Sequence, residues 1–361
     1  MYSPLKHAGS IFRKTKPIHL TFFVTRRCNS NCPYCFYLRT GTQPEKEAAE
    51  LSLDEIGRIS SSIGDLLWLA FSGGEIFLRS DLAEISRTFY KNNRPAIMLF
   101  PTNGLLPDLI HNKMEEILAS CPESIVAVKL SLDGIGADHD SVRRTPGSFE
   151  KTMQTYNLLG GLLDKYPNFE LGVNTVFSSA NQDRMDEIIR FVGGLKKIRT
   201  HTISLVRGDL SDAGFKEVDF GKYLSSIQKL ESGLKSKEAA VYRFRGAGIK
   251  AAQDILQRRL IHRTMLEQKR LIPCYAGRLN LVLTENGEVY PCEILQRSFG
   301  NIRDHGYDIM KVAGSESAKE ILASIKNREC FCTHECYFMT NILFNPKLYH
   351  SLLREYLQVR S

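Results

Sequence analysis

Residues 18–206 alternate short β-rich runs with amphipathic segments, and this alternation limits the fold more than any other feature of the sequence. Each unit is about 25 to 40 residues long, enough for a strand, a crossover helix and the next parallel strand. Strands are predicted at 18–25, 67–71, 96–100, 125–132, 171–177 and 201–206, with helices between them. Ser52-Leu53-Asp54-Glu55 reads as a capping box that opens the first helix. Ser80 and Ser148 are expected to cap later ones. The class is therefore α/β with parallel strands. Pattern alone fits an open barrel or a doubly wound sheet, and in both the active-site residues belong at the C-terminal ends of the strands.

The first such end carries Cys28-Asn29-Ser30-Asn31-Cys32-Pro33-Tyr34-Cys35. Three cysteines at x3-then-x2 spacing can hold three irons of a 4Fe–4S cluster, which usually takes four thiolates. One iron is left open, and an open metal position is where chemistry happens. A structural zinc site is the competing reading. Its short spacings are Cys-x2-Cys pairs, so it fits poorly here.

CxxxCxYC directly after a first strand resembles the radical S-adenosylmethionine (radical SAM) superfamily. The resemblance implies a partial (β/α)6 barrel of the TIM type. It also implies that the open iron is chelated by the methionine end of SAM, and that reduction yields a 5′-deoxyadenosyl radical. Tyr34 takes the position that packs near the adenine in relatives. Gly73, Gly74 and Glu75 follow the second strand and resemble the segment that binds the SAM amino group. Two glycines permit close backbone approach, and a carboxylate accepts from an ammonium. Thr102 and Asn103, before Gly104, resemble a segment lining the SAM pocket, and a plain turn is the competing reading. Ser131 resembles a ribose-contacting position. Arg143 resembles the arginine that neutralises the SAM carboxylate, which suits its bidentate fork, with Arg144 the alternative. Asn174 reads equally as a lumen residue or as a polar residue at the core edge. Cys121 stands alone and reads as a small buried residue.

Residues 209–272 are polar, helical and rich in Lys and Arg, including Lys235, Lys237, Arg258 and Arg259, and read as a connecting segment with a solvated face. A second cysteine group follows. Asn286-Gly287 between two β-rich runs predicts a hairpin that brings Cys274 and Cys292 together. A helix is expected near 315–327, before Cys330, Cys332 and Cys336. This group resembles the SPASM and twitch domains appended to radical SAM barrels. Full SPASM domains carry at least seven cysteines. Five here imply a small cysteine-rich α+β unit of the twitch type, with one auxiliary 4Fe–4S cluster. Cys274, Cys292 and Cys336 are the expected ligands, with Cys330 or Cys332 as the fourth. A zinc ribbon built from four of the five is the competing reading, and His334 is expected to be exposed beside the cluster. Residues 337–357 are apolar at helical spacing, interrupted by Pro346, and are expected to pack over the barrel mouth or the auxiliary cluster.

The 361 residues suffice for about two domains. Expected units are 1–17, an N-terminal extension; 18–208, the barrel; 209–272, the connecting segment; and 273–361, the auxiliary cluster domain. Hydrophobic residues make up 43%, normal for a globular core. No apolar run of about 18 residues spans a membrane, and no signal-peptide core precedes the first strand. A cytoplasmic location is expected, where nine cysteines point to metal ligands rather than disulfides. The net charge of +8 fits an ordinary basic enzyme. No nucleic-acid-binding module is recognisable, so no nucleic-acid partner is expected.

The resemblance implies an enzyme that abstracts hydrogen from an unactivated carbon, with an electron donor such as flavodoxin or ferredoxin as partner. The auxiliary cluster would assist oxidation or cross-linking of a small molecule, lipid or peptide. Twenty-seven residues precede Cys28. That leaves no room for the N-terminal recognition domain of many peptide-modifying relatives, and favours a small molecule, a lipid or a peptide bound without it. A peptide (RiPP) maturase forming carbon–carbon or thioether links is the first alternative, and a non-catalytic metal-binding module the second.

Overall fold

The computed structural model describes residues 1–38, 49–238 and 242–360. Six parallel strands come first: β1 His19–Thr25, β2 Trp68–Gly73, β3 Ile97–Thr102, β4 Ile125–Ser131, β5 Phe169–Phe177 and β6 Thr200–Leu205. The helices between them are α1 Leu53–Ile63, α2 Leu82–Asn93, α3 Pro107–Ser120, α4 Ala137–Val142, α5 Ser148–Lys165 and α6 Met185–Gly194. Then come α7 Phe220–Lys235 and α8 Ala247–Glu267, the hairpin β7 Asn280–Leu283 and β8 Glu288–Tyr290, and the short β9 Gly300–Asn301. The chain ends in α9 Ile309–Ala313, α10 Glu316–Lys326, α11 Glu335–Leu343 and α12 Tyr349–Arg360.

Strand order decides between the two α/β architectures. The sheet runs β6-β5-β4-β3-β2-β1-β7-β8-β9. Consecutive strands are neighbours from β1 to β6, with no reversal of order, as a barrel requires and a doubly wound sheet forbids. The sheet also curls: Thr21, Ala70, Leu99, Ala127, Glu170 and Thr202, one from each of the six strands, line a common interior cavity. Leu20, Phe22 and Val24 alternate with these inward residues on β1 and join the outer core with Ile56, Ile59 and Phe89 from α1 and α2. Each such side chain stabilises the fold by about 1.5–3 kcal/mol when fully buried.

The expected strands all form. The capping box forms too: Glu55 N–H donates to Ser52 Oγ at 3.3 Å and Ser52 N–H to a Glu55 carboxylate oxygen at 2.8 Å. Ser80 and Ser148 do not cap their helices. Asp81 precedes α2. Gly147 precedes α5 in the left-handed conformation, while the Asp140 carboxylate accepts from Gly147 N, Phe149 N and Ser148 Oγ. An acid seven residues upstream replaces the local cap, which no local pattern announces. The connecting segment also differs from a solvated face. α8 packs against α7, α11 and α12, and Arg258 is buried on it.

The hairpin forms around Gly287, at φ +93. Its first strand does not stay within a separate unit: β7 pairs in parallel with β1, His19 opposite Asn280. The cysteine-rich segment thereby extends the sheet of the barrel.

Candidate active site

The C-terminal strand ends of the barrel surround a cavity of about 370 Å³ lined by Cys28, Cys32 and Cys35. All three are half-buried free thiols. Burial pushes the Cys28 thiol up to about 11 and raises that of Cys35 as well. Such thiols ionise only beside a compensating cation, which cluster irons supply. Four thiolates around one zinc ion would stand about 3.8 Å apart. Among the described residues no three Cys, His, Asp or Glu side chains gather tightly enough for a single ion. Three thiols from one loop on the wall of one cavity match the three protein ligands of a 4Fe–4S cluster with one open iron.

Gly73, Gly74 and Glu75 line the same cavity, and the glycines serve contact between chain segments. A Cβ on Gly73 would lie 2.3 Å from Thr25 O, and one on Gly74 would lie 2.1 Å from Arg27 O. Gly74 N donates to Thr25 O at 2.8 Å and Glu75 N to Arg27 O at 2.9 Å, tying the turn to the loop that launches Cys28. Burial pushes the Glu75 carboxyl up to about 7. Its oxygens accept from Thr102 Oγ1 and Asn103 N, each at 2.8 Å. Asn103 Nδ2 in turn donates to Asn29 Oδ1 at 2.8 Å and lies 3.9 Å from Cys28 Sγ. Thr102 and Asn103 thus bind the glutamate turn to the cysteine loop.

Tyr34, Ser131, Arg143 and Asn174 also line the cavity, while Arg144 is exposed, at φ +48. Sequence reasoning gave no role to Asp133. Its carboxylate is fully buried, accepts from Tyr34 Oη and Arg143 Nη1 at 2.6 Å each, and takes Val176 N–H at 2.7 Å. Its place at the end of β4, in Ser131-Leu132-Asp133-Gly134, was the available signal. Arg143 Nε is buried with no partner among the described residues, so the guanidinium keeps a donor for an incoming anion. His139 accepts Asp133 N–H at 3.1 Å, and burial lowers its pKa to about 4, so the ring is neutral at neutral pH.

Beneath this cavity lies the barrel lumen, about 260 Å³, closed on its open side by Lys250, Asp254 and Gln257 of α8 and by Glu335, Cys336 and Met339 of α11. Phe36, Ser72, Pro101, Ser131, Asn174, Ser204 and Arg207 line both spaces, so the two adjoin. Arg207 bridges to Glu335 at 2.7 Å.

Cys274, Cys292, Cys330 and Cys332 line a third cavity of about 100 Å³. The hairpin brings in the first two. Arg270 fastens Cys330, with Nη2 at 2.6 Å from its carbonyl oxygen and 3.1 Å from its sulfur. Burial pushes the Cys292 and Cys332 thiols up to about 12, the same setting as the first group. Cys336 lines the lumen rather than this cavity. His334 departs from expectation. It is 1% exposed, its Nδ1 accepts Cys336 N–H at 3.2 Å, and its Nε2 meets a Glu293 carboxylate oxygen at 2.6 Å. Capping α11 turns the ring inward. Of the apolar C-terminal segment, Tyr337 and Phe338 line the third cavity and Met339 the lumen, whereas Leu353 and Leu357 are exposed. Cys121 is buried as expected, and no helix among the described residues is long and apolar enough to cross a membrane.

Comparison with known proteins agrees with this geometry. The family model of the radical SAM superfamily matches residues 22–192, and that of the SPASM iron–sulfur cluster-binding domain matches residues 274–337. An AdoMet-dependent heme synthase of Methanosarcina barkeri is 27% identical over 303 residues, 81% of each chain. The antilisterial bacteriocin subtilosin biosynthesis protein AlbA of Bacillus subtilis is 27% identical over 301 residues, 81% of this chain and 59% of that protein. The crystal structure of Streptococcus suis SuiB bound to S-adenosylmethionine shares the fold, with a TM-score of 0.60 at 15% identity over 88% of this chain and 71% of that one. The chain is therefore an enzyme of the radical SAM superfamily, using a 4Fe–4S cluster and S-adenosylmethionine and carrying a SPASM-type iron–sulfur domain after its barrel.

Proposed function

We propose that this enzyme abstracts a hydrogen atom from an unactivated carbon of a substrate held in the lumen. Cys28, Cys32 and Cys35 hold the catalytic cluster. The Gly73–Glu75 turn with Thr102 and Asn103 faces the methionine end of SAM, Arg143 receives its carboxylate, and Tyr34 and Ser131 border its adenosine. When bound and reduced, the cluster and SAM supply the 5′-deoxyadenosyl radical. One auxiliary cluster would be held at the third cavity, whose wall offers Cys274, Cys292, Cys330 and Cys332. It would accept an electron from the substrate radical or anchor the substrate. A soluble one-electron donor such as flavodoxin or ferredoxin serves the catalytic cluster. The carrying observation is that the thiol-lined cavity adjoins the lumen across a shared set of wall residues. A radical formed at the mouth then meets a substrate without crossing bulk water.

Two relatives suggest different substrates. One is named a heme synthase and the other a bacteriocin biosynthesis protein. The second favours peptide maturation as the alternative reading.

Anaerobic reconstitution tests the proposal. The expected protein holds about eight irons per chain, four per cluster, and releases 5′-deoxyadenosine from SAM on dithionite reduction. Cys28→Ala is expected to abolish that release and to leave about four irons. Zinc in place of iron, or no 5′-deoxyadenosine from the iron-loaded protein, refutes it.

A further inference from the structure

Lys129 sits on the inner face of β4, two residues below Ser131, which lines both the cofactor cavity and the lumen. Two strand residues span about 7 Å. Its ammonium reaches sideways over β5, where Gly172 leaves room: a Cβ there would lie 2.7 Å from Lys129 Nζ. Nζ donates to Thr200 Oγ1 at 2.5 Å and to Thr202 Oγ1 at 3.2 Å. Among the described residues these partners are neutral hydroxyls. A buried ammonium costs several kcal/mol unless an anion compensates it. Burial accordingly lowers its pKa to about 7. Nearby on β5, Glu170 lines the lumen as well. One of its oxygens accepts Arg243 N–H at 2.6 Å, and the other is buried without a partner among the described residues.

We propose that Lys129, lying over Gly172 between Thr200 and Thr202, binds a carboxylate of the substrate inside the lumen. This rests on the reading of the lumen as the substrate pocket. A single negative charge matches one ammonium and two hydroxyls that can turn their protons toward it. A phosphate dianion is disfavoured more than a carboxylate, because Glu170 of β5 and Asp254 of α8 also bring carboxylates to the lumen and repel each added negative charge. A neutral ligand would leave the ammonium with no hydrogen-bonded counter-charge among the described residues, Asp254 and Glu170 acting on it from beyond ion-pair distance. The free Glu170 oxygen is then the acceptor for a hydroxyl or ammonium beside that carboxylate. A carboxylate anchored about 7 Å below Ser131 leaves a carbon a few bonds away under the cofactor cavity. The substrate class is thus a carboxylic acid: a small acid, or a peptide presenting an acidic side chain or its C-terminus.

Cyanate carbamoylates neutral amines and is small enough to enter the lumen. Reconstituted, SAM-loaded enzyme is treated with cyanate alone, with butyrate or with the isosteric butyramide, and Lys129 is read by peptide mass spectrometry. Exposed Lys165, 61% accessible, is the internal reference. The expected result is carbamoylation of Lys129 in the ligand-free enzyme, slowed about fivefold by butyrate and unaffected by butyramide. No carbamoylation of Lys129 without ligand, or equal carbamoylation with acid and amide, overturns the proposal. Release of 5′-deoxyadenosine is scored separately on the same preparation. Its absence counts against radical cleavage, and the labelling result decides the carboxylate site in either case.

Discussion

Asp133 shows how a single buried charge organises the cofactor cavity. Its carboxylate is the counter-charge of Arg143 and the acceptor of the Tyr34 hydroxyl, with side-chain exposures of 0% and 8% across the ion pair. Removing one partner of a buried pair strands the other, at a cost of about 3–5 kcal/mol, whereas deleting a neutral hydroxyl costs about 1. Asp133→Asn is therefore expected to lower the unfolding midpoint of the apo-protein and to weaken SAM binding about tenfold or more. Tyr34→Phe is expected to be much milder. Thermal denaturation and equilibrium dialysis with labelled SAM check both, and equal effects of the two variants would contradict the argument. At this scale the sequence announced what lay in contiguous motifs: the cysteine loop, the glutamate turn and the arginine region. It did not announce Asp133, whose partner Tyr34 lies 99 residues away. Nor did it announce the inward turn of His334, because such pairs are made by topology.

Among the elements, α1 depends on Glu55 twice. The residue closes the capping box at its own helix and meets Arg303, which follows β9, at 2.7 Å. The Arg303 guanidinium is the main cause that holds the Glu55 carboxyl down at about 2, from an ordinary 4.5. The folded protein thus binds fewer protons than the unfolded chain between those values. The stabilisation is complete above pH 4.5 and is lost as pH falls toward 2. The full depression corresponds to roughly 3 kcal/mol, and solvent screening near the surface reduces this to about 1–2. Glu55→Gln is expected to lose that amount at neutral pH and to flatten the acid limb of stability. Urea denaturation across pH measures both, and an unchanged acid limb would rule out the assignment. The capping box was legible because its two residues are three apart. The cap of α5 was not, since Asp140 reaches it from outside the helix. α8 departs from a wholly solvated helix because Lys250 and Asp254 face the lumen, while Arg259 and Arg263 on the same helix reach water.

At the scale of the whole molecule, parallel pairing of β7 with β1 decides how many folding units the chain has. The six-strand alternation was legible locally, but this pairing joins residues 261 apart, as in the His19–Asn280 contact. All seven residues of β1 are buried, with β2 on one side and β7 on the other. Ile18 and His19 donate to Leu279 O, Leu51 N donates to Glu285 O, and Tyr37 bonds to Glu285. Removing residues 273–361 would turn β1 into an open edge with unpaired backbone groups beside Phe22 and Phe23. Exposed apolar edges of that kind recruit other chains. The fragment 1–272 is therefore expected to aggregate on size-exclusion chromatography under conditions where the full chain elutes as one species. A monodisperse fragment that still binds SAM would mean that the barrel closes by itself and that β7 is an accessory. If the fragment fails as expected, the thiol cavity at the barrel mouth and the cysteine cavity beside the hairpin are held by one continuous sheet. Their separation is then fixed by strand pairing rather than by a linker. That rigidity is what the proposed electron transfer from a substrate radical in the lumen to an auxiliary cluster would require.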